Sequence, residues 1–104
     1  MIHHAVYLSL DTTYDQNELA ELMAGLAALV GTIDGFTAFH HGRNIDLEGK
    51  SPEAAYGFTC TFTDADAAMR YASDPRHQAL GARLVALCGG AERIKVYDIA
   101  SGGT

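Results

Sequence analysis

The sequence predicts an α+β protein, with a four-stranded antiparallel sheet and helices on one face. Short stretches near both ends and in the middle of the chain alternate apolar and polar residues, as half-buried strands do. Between them, apolar residues recur every three or four positions, which is the period of an amphipathic helix. Asp, Pro and Gly stand where these helices begin and end. In chain order the elements read β-α-β-β-α-β, the ferredoxin-like arrangement.

The length and composition limit both the domain count and the partners. A chain of 104 residues has room for one domain, which we place at residues 1–100, followed by a flexible tail at 101–104. Hydrophobic residues make up 48% of the chain, which excludes a disordered protein. The net charge of −6 argues against nucleic acid or an anionic membrane surface as partner. With neither a membrane-spanning run nor a secretory signal in this sequence, we expect a cytoplasmic protein.

The first half of the chain reads as strand, helix and strand. Alternation over Ile2–Leu10 predicts the first strand, whose even-numbered residues face the core. Asp15 stands three residues before Glu18, the spacing of a helix N-terminal cap, and helical periodicity then continues to a predicted stop at Gly31. A second strand is predicted over Phe36–Arg43.

The second half begins with a strand over Ala55–Phe62, which the same alternation predicts. Asp64 is suited to cap a short helix that runs through Tyr71. Asp74-Pro75 restarts the helix, since Asp is a favoured cap and Pro is tolerated at the first helical position. Gly89-Gly90 ends this helix, and Glu92–Ile99 forms the closing strand.

Helices on one face of the sheet leave the other face uncovered. Arg93 and Lys95 are the few charges predicted on it, and its other side chains are small, hydroxylated or aromatic: Ala5, Tyr7, Ala55, Gly57, Thr59, Thr61 and Tyr97. A solvated face usually carries more charge. We therefore expect a homodimer in which a partner's sheet covers this face, since two-fold self-pairing is the commonest assembly.

Several segments of the chain together resemble a known family. They are residues 1–6, Ile33-Asp34-Gly35-Phe36, Gly42-Arg43-Asn44, Tyr56-Gly57-Phe58 and Asp74-Pro75-Arg76-His77-Gln78-Ala79-Leu80. The chain resembles the stress-responsive dimeric A/B barrel (Dabb) family over residues 2–99, and the Asp-Pro-x-His segment is the most specific part of the match. The resemblance implies a ferredoxin-like fold in which two sheets form a dimeric α/β barrel.

A more distant resemblance to polyketide cyclases of the olivetolic acid type supplies candidate site residues. These enzymes close a linear poly-ketone by aldol condensation without a cofactor. By this resemblance their essential base falls on His77, an essential tyrosine on Tyr71 and a first-strand histidine on His4. The implied substrate-binding positions are Val6, Leu8, Leu22, Met23, Leu26, Tyr56, Phe58, Leu80, Gly81, Ile94 and Val96, with Tyr56 standing where the cyclases have a histidine.

The residue types at two of these positions suit proton abstraction next to a carbonyl. His77 lies in the first turn of a predicted helix, where the positive end of the helix dipole keeps an imidazole neutral and able to accept a proton. A phenol at Tyr71 would donate a hydrogen bond to the developing enolate. From the residues alone, a packing or capping role for both side chains remains the alternative, as does a hydrogen-bonded core role for His4.

We expect no metal and no cofactor. His3-His4 and His40-His41 are neighbours on strands, so the two side chains of each pair point to opposite faces and do not chelate one ion. Cys60 and Cys88 lack metal-ligand spacing and are expected to be buried thiols.

Two classes of function remain open. The first is a cofactor-independent enzyme acting on a small, apolar, polyketide-like carbonyl compound, or a cofactor-free monooxygenase. The second is a non-enzymatic, stress-related homodimeric binding protein, in which Leu26, Phe58 and Leu80 would pack without a cavity.

Overall fold

The computed structural model describes residues 1–102 and contains the predicted elements in the predicted order. The four strands and three α-helices are β1 (Ile2–Leu8), α1 (Gln16–Ala27), β2 (Phe36–Arg43), β3 (Tyr56–Phe62), α2 (Ala65–Ser73), α3 (Pro75–Cys88) and β4 (Ile94–Ala100). A single 3₁₀ turn, Ala91–Arg93, precedes β4.

The strands form one antiparallel sheet in the order β2-β3-β1-β4. Val6 in the middle of β1 is aligned with Phe58 on β3 and with Val96 on β4. The chain crosses over between β1 and β2 through α1, and between β3 and β4 through α2 and α3. This confirms the predicted α+β, ferredoxin-like fold with its four-stranded antiparallel sheet.

The hydrophobic core lies between the sheet and the helices. Its most completely buried side chains are Phe36, Phe62, Leu8, Leu22, Met23 and Cys60. Helix α1 packs against α3 and against β2, whereas α2 contacts the three strands β1, β2 and β3. The edge strand β4 is exposed from Lys95 to Ala100, and only its first residue, Ile94, is partly buried.

Local signals in the sequence set most of the helix ends. The Asp15 carboxylate accepts from the backbone N–H groups of Asn17 and Glu18, so it caps α1 as predicted. Asp74 ends α2 and also caps α3, where its side chain accepts from the Arg76 N–H at 2.8 Å. Gly89 closes α3 in the left-handed conformation, at φ 87°.

Several predicted boundaries differ from the observed ones. β3 begins at Tyr56 rather than Ala55, α2 continues past Tyr71 to Ser73, and β4 ends at Ala100 rather than Ile99. β1 ends at Leu8 rather than Leu10. α1 ends at Ala27, before Gly31, because Leu29 and Val30 donate to carbonyls only three residues back. β4 begins at Ile94 because Ala91–Arg93 forms a 3₁₀ turn.

The end of the described chain is bound to its beginning. The Ser101 N–H donates to the Met1 carbonyl at 2.9 Å, and the Ser101 hydroxyl lies 2.8 Å from Nε2 of His3. Residues 103 and 104 of the predicted tail lie outside the described residues. Among the helices of the described chain, none has the length and hydrophobicity needed to cross a membrane.

Candidate functional site

A cleft of about 450 Å³ opens on the helix-covered side of the sheet, between helices α2 and α3 and strands β1 and β4. It exists because the helices do not extend over the edge strand, which leaves the Val96 side chain 47% exposed. Its walls are mostly apolar, and its lining residues are Ile2, His4, Val6, Phe58, Phe62, Ala65, Ala68, Met69, Tyr71, Ala72, His77, Gly81, Leu84, Val85, Ile94, Val96 and Asp98.

The three predicted catalytic residues lie together at this cleft. The rings of Tyr71 and His77 are in contact, with their centroids 3.9 Å apart and their planes inclined at 37°. The ring centroid of His4, on β1, lies 5.7 Å from that of Tyr71, and the two rings form a T-shaped pair. The α2–α3 junction at Asp74 makes this possible, because it turns the chain between Tyr71 and His77 and brings their rings into contact.

Burial favours the neutral form of the His77 imidazole. The pKa of this imidazole is lowered below the usual 6.5, mainly by burial. The Ala72 carbonyl and Asp74 act to raise this pKa, and the charge of His4 acts to lower it further. The direction of the shift agrees with the predicted neutral ring, and burial is its largest cause. Within the described residues, Nδ1 of His77 is buried and has no hydrogen-bond partner.

Tyr71 is a buried, protonated phenol. Only 2% of the residue is exposed, and burial raises the pKa of its hydroxyl. The thiol of Cys60 donates to the phenol oxygen at 3.8 Å, and the pKa of that thiol is itself raised to about 12 by burial. Cys60 is therefore an unreactive neighbour that leaves the Tyr71 hydroxyl its own proton.

Asp98 is a polar cleft residue that the sequence analysis missed. Its carboxylate lies 2.6 Å from Nδ1 of His4, and the two residues are paired across β1 and β4. The signal was present in the alternation of β4, because Asp98 follows Ile94 and Val96 on the same face. The carboxylate fixes the orientation of the His4 ring, which gives the cleft an aspartate–histidine pair.

The predicted binding positions divide into two groups. Those that line the cleft are Val6, Phe58, Gly81, Ile94 and Val96. Those that do not are Leu8, Leu22, Met23, Leu26, Tyr56 and Leu80.

The second group lies elsewhere for clear packing reasons. Leu8 and the three α1 residues are core side chains, because α1 packs on α3 and β2 and not beside β4. Leu80 packs beside Gly25. The Tyr56 hydroxyl bonds Nδ1 of His41 at 2.6 Å instead of facing the cleft.

A second groove, of about 490 Å³, lies on the uncovered face of the sheet and is slightly larger than the cleft. Tyr7, Gly57, Lys95 and Tyr97 form its base, and residues of the β2–β3 loop form one side. Its lining contains neither His nor Cys, so the contacting rings of Tyr71 and His77 mark the smaller cleft as the candidate site. No three His, Cys, Asp or Glu side chains within residues 1–102 are grouped as metal ligands.

Comparisons with known proteins agree with this architecture. Residues 2–100 match the model of the stress responsive A/B barrel domain. The chain is 28% identical over 76 residues, 73% of this chain and 70% of the other, to the stress-response A/B barrel domain-containing protein HS1 of Arabidopsis thaliana. A crystal structure of a protein from Jannaschia sp. CCS1 is described as that of a dimeric ferredoxin-like protein of unknown function. It is 42% identical to this chain with a TM-score of 0.90, and the match covers 96% of this chain and 98% of that one.

Two enzymes share the fold at low identity. The hydroxynitrile lyase of Passiflora edulis is 13% identical with a TM-score of 0.80, and SnoaB, a cofactor-independent oxygenase of Streptomyces nogalater, is 17% identical with a TM-score of 0.74. Each match covers 99% of this chain and 94% of the other. Such distant likeness shows the fold alone. The match over residues 2–100, together with the observed topology, shows that this chain belongs to the stress responsive A/B barrel (Dabb) domain family.

Proposed function

We propose that this protein is a cofactor-independent enzyme that removes a proton next to the carbonyl group of a small, apolar substrate. The observation that carries the proposal is the convergence of His4, Tyr71 and His77 at one largely apolar cleft. Proton transfer of this kind needs a neutral base, a donor for the developing oxyanion and a site that excludes water.

Each of the three side chains has a distinct role in this proposal. His77 is the base, because burial favours its neutral ring at neutral pH. Tyr71 is the donor, because its buried phenol keeps its proton and can share it with an enolate oxygen. His4, oriented by Asp98, is a second proton-transfer group at the open side of the cleft.

The walls of the cleft favour an apolar, uncharged substrate. Val6, Phe58, Ile94 and Val96 supply an aliphatic and aromatic surface on the sheet side. Neither Lys nor Arg lines the cleft, and the chain carries a net charge of −6. A polyanionic substrate would therefore find no counter-charge here.

The fold is compatible with an enzyme, but it does not specify the reaction. Both a hydroxynitrile lyase and a cofactor-independent oxygenase are built on it. An oxygenase is the second candidate, since it too would begin by removing a proton from an apolar substrate. A purely structural role predicts that Leu26, Phe58 and Leu80 pack without a cavity. Leu26 does pack in the core and Leu80 packs against it, but Phe58 lines the cleft, which favours a site that takes a ligand.

The test measures hydrogen–deuterium exchange at the carbons next to the carbonyl of 2-octanone in D₂O by NMR. We expect the wild type to catalyse exchange and His77→Gln to lose at least about 100-fold of the rate. His41→Gln is the matched control, because His41 lies outside the cleft beside Tyr56. The melting temperature of both variants should stay close to that of the wild type.

Equal exchange rates in the wild type and in His77→Gln would disprove this assignment. Oxygen consumption, measured on a phenolic substrate in the same samples, separates the two candidate reactions. Uptake of oxygen that depends on His77 would favour the oxygenase.

We further propose that the protein is a homodimer through the uncovered sheet face. Tyr97 and Ile99 project from this face with 52% and 56% of their surface exposed, next to the half-exposed Tyr7. The 42%-identical Jannaschia protein is described as dimeric. Exposed aromatic and aliphatic side chains grouped in this way are typical of an interface.

Sedimentation velocity at micromolar concentration tests the dimer. We expect a dimer for the wild type and a shift to monomer for Tyr97→Glu, because a carboxylate would be buried without a partner. Met69→Glu, on the helix side, should remain dimeric. A monomeric wild type would contradict the proposal.

A further inference from the structure

Gly81 occupies an unusual position, in the interior of helix α3 and at the wall of the cleft. It lies one turn after His77, and residues four apart share a helix face. Glycine is the least favourable helix residue after proline. A glycine at this place in a helix therefore calls for a reason in the surrounding structure.

Packing does not supply that reason. A Cβ atom built on Gly81 has no atom within 4 Å, so an alanine would fit without any adjustment. Gly25 on α1 is different, because its Cβ would lie 2.9 Å from Cδ2 of Leu80. The contact with Leu80 explains Gly25, and nothing comparable explains Gly81.

Backbone conformation does not supply it either. Gly31, Gly35 and Gly89 adopt positive φ angles of 81°, 85° and 87°, which disfavour other residues. Gly81 is absent from this group and continues a regular helix. Neither the local conformation nor the neighbouring side chains require glycine here.

We infer that Gly81 is a specificity-determining residue, whose missing side chain keeps the cleft open beside His77 for the apolar chain of the substrate. The inference rests on the proposed function, because it places the carbonyl of the substrate at His77. One helical turn separates the two residues, about 5.4 Å along α3. The site therefore accepts ketones whose apolar chain extends about four or more carbons beyond the carbonyl and lies against bare helix backbone.

The test compares binding of 2-octanone and 2-butanone by NMR titration of backbone amide shifts. Gly81→Leu should weaken binding of 2-octanone by at least about tenfold and that of 2-butanone by less than about threefold, since only the longer chain competes with the new side chain. Ala82→Leu is the matched control, because it adds the same side chain to α3 at an exposed position outside the cleft. It should bind both ketones as the wild type does.

Gly81→Ala shows whether the fold tolerates a side chain. Its melting temperature should rise by about 4–8 °C, because alanine is the better helix residue and meets no neighbour. Its affinity for 2-octanone should lie between those of the wild type and Gly81→Leu. If Gly81→Leu does not fold, the alanine variant alone decides the inference.

The outcomes separate this inference from the proposed function. Unchanged 2-octanone binding in both Gly81 variants, or no binding by the wild type, would overturn the inference. Full exchange activity in His77→Gln would instead overturn the assignment of the base, while a size effect at Gly81 would stand.

Discussion

The helix-covered face of the sheet has two ends that differ sharply. We call Leu8, Leu22, Met23 and Leu26 the core end, where no side chain is more than 3% exposed. The cleft end is formed by His4, Phe58, Gly81 and Val96 at the walls of the 450 Å³ cleft. Both ends were predicted to bind substrate, yet only the second borders open space.

The difference comes from where the helices lie, since both ends are built mainly from apolar residues. Helix α1 packs against α3 and β2, which buries its apolar stripe. The edge strand β4 has no comparable helix cover, so the space beside Val96 stays open. An apolar face is thus closed or open according to whether a helix crosses it, which shows that apolar composition alone does not identify a binding site.

The largest expected effect is on stability at the core end. Leu22→Ala removes a fully buried side chain and should cost about 2–5 kcal/mol in the free energy of unfolding. Val96→Ala, at the half-exposed cleft end, should cost less than about 1 kcal/mol. Urea denaturation of the two variants measures both values.

Similar losses of stability for Leu22→Ala and Val96→Ala would contradict the difference in packing between the two ends. They would mean that the cleft end is packed as tightly as the core end. A larger change in 2-octanone binding for Val96→Ala than for Leu22→Ala would support substrate binding at the cleft end.

The smallest expected effect is a pH dependence that belongs to the cleft end alone, since the core contains no buried charged side chain within the described residues. Burial holds the pKa of His77 below 6.5, so the unfolded chain takes up a proton more readily than the folded protein. This contribution to stability is complete above about pH 6.5 and is lost as the pH falls through the folded pKa.

His77→Gln should therefore lose less stability than the wild type between pH 7 and pH 5. Thermal melting across this range measures the difference. The range lies above the lowered carboxyl pKa values of Asp74 and Glu18, so those groups stay charged throughout. Parallel curves for the two proteins would show that burial does not disfavour the charged form of His77.

Much of the fold followed from local sequence signals. Asp15, the Asp74-Pro75 pair and Gly89 fix helix ends through caps and special backbone angles that depend on few neighbours. Period-two alternation identified the strands, although the 3₁₀ turn before Ile94 moved one boundary. Such features can be predicted because each is determined within a few residues.

The cleft was only partly predictable. Resemblance to a family identified His4, Tyr71 and His77, which do converge. The helical period of α1 already favours a core position for Leu22, but its distance from the cleft depends on the placement of α1 over the sheet, which no local signal gives. Asp98 could have been found from the alternation of β4 together with the pairing of β4 with β1.

The turn at Asp74 sets how long the candidate site stays assembled. One carboxylate, with a pKa lowered to about 2 chiefly by Arg76, both ends α2 and caps α3. Tyr71 and His77 stand on opposite sides of this turn, so any transient opening of the junction separates their rings. The lifetime of the pair therefore depends on this short junction as well as on the core that holds Tyr71, and amide exchange at Arg76 would record openings of the junction.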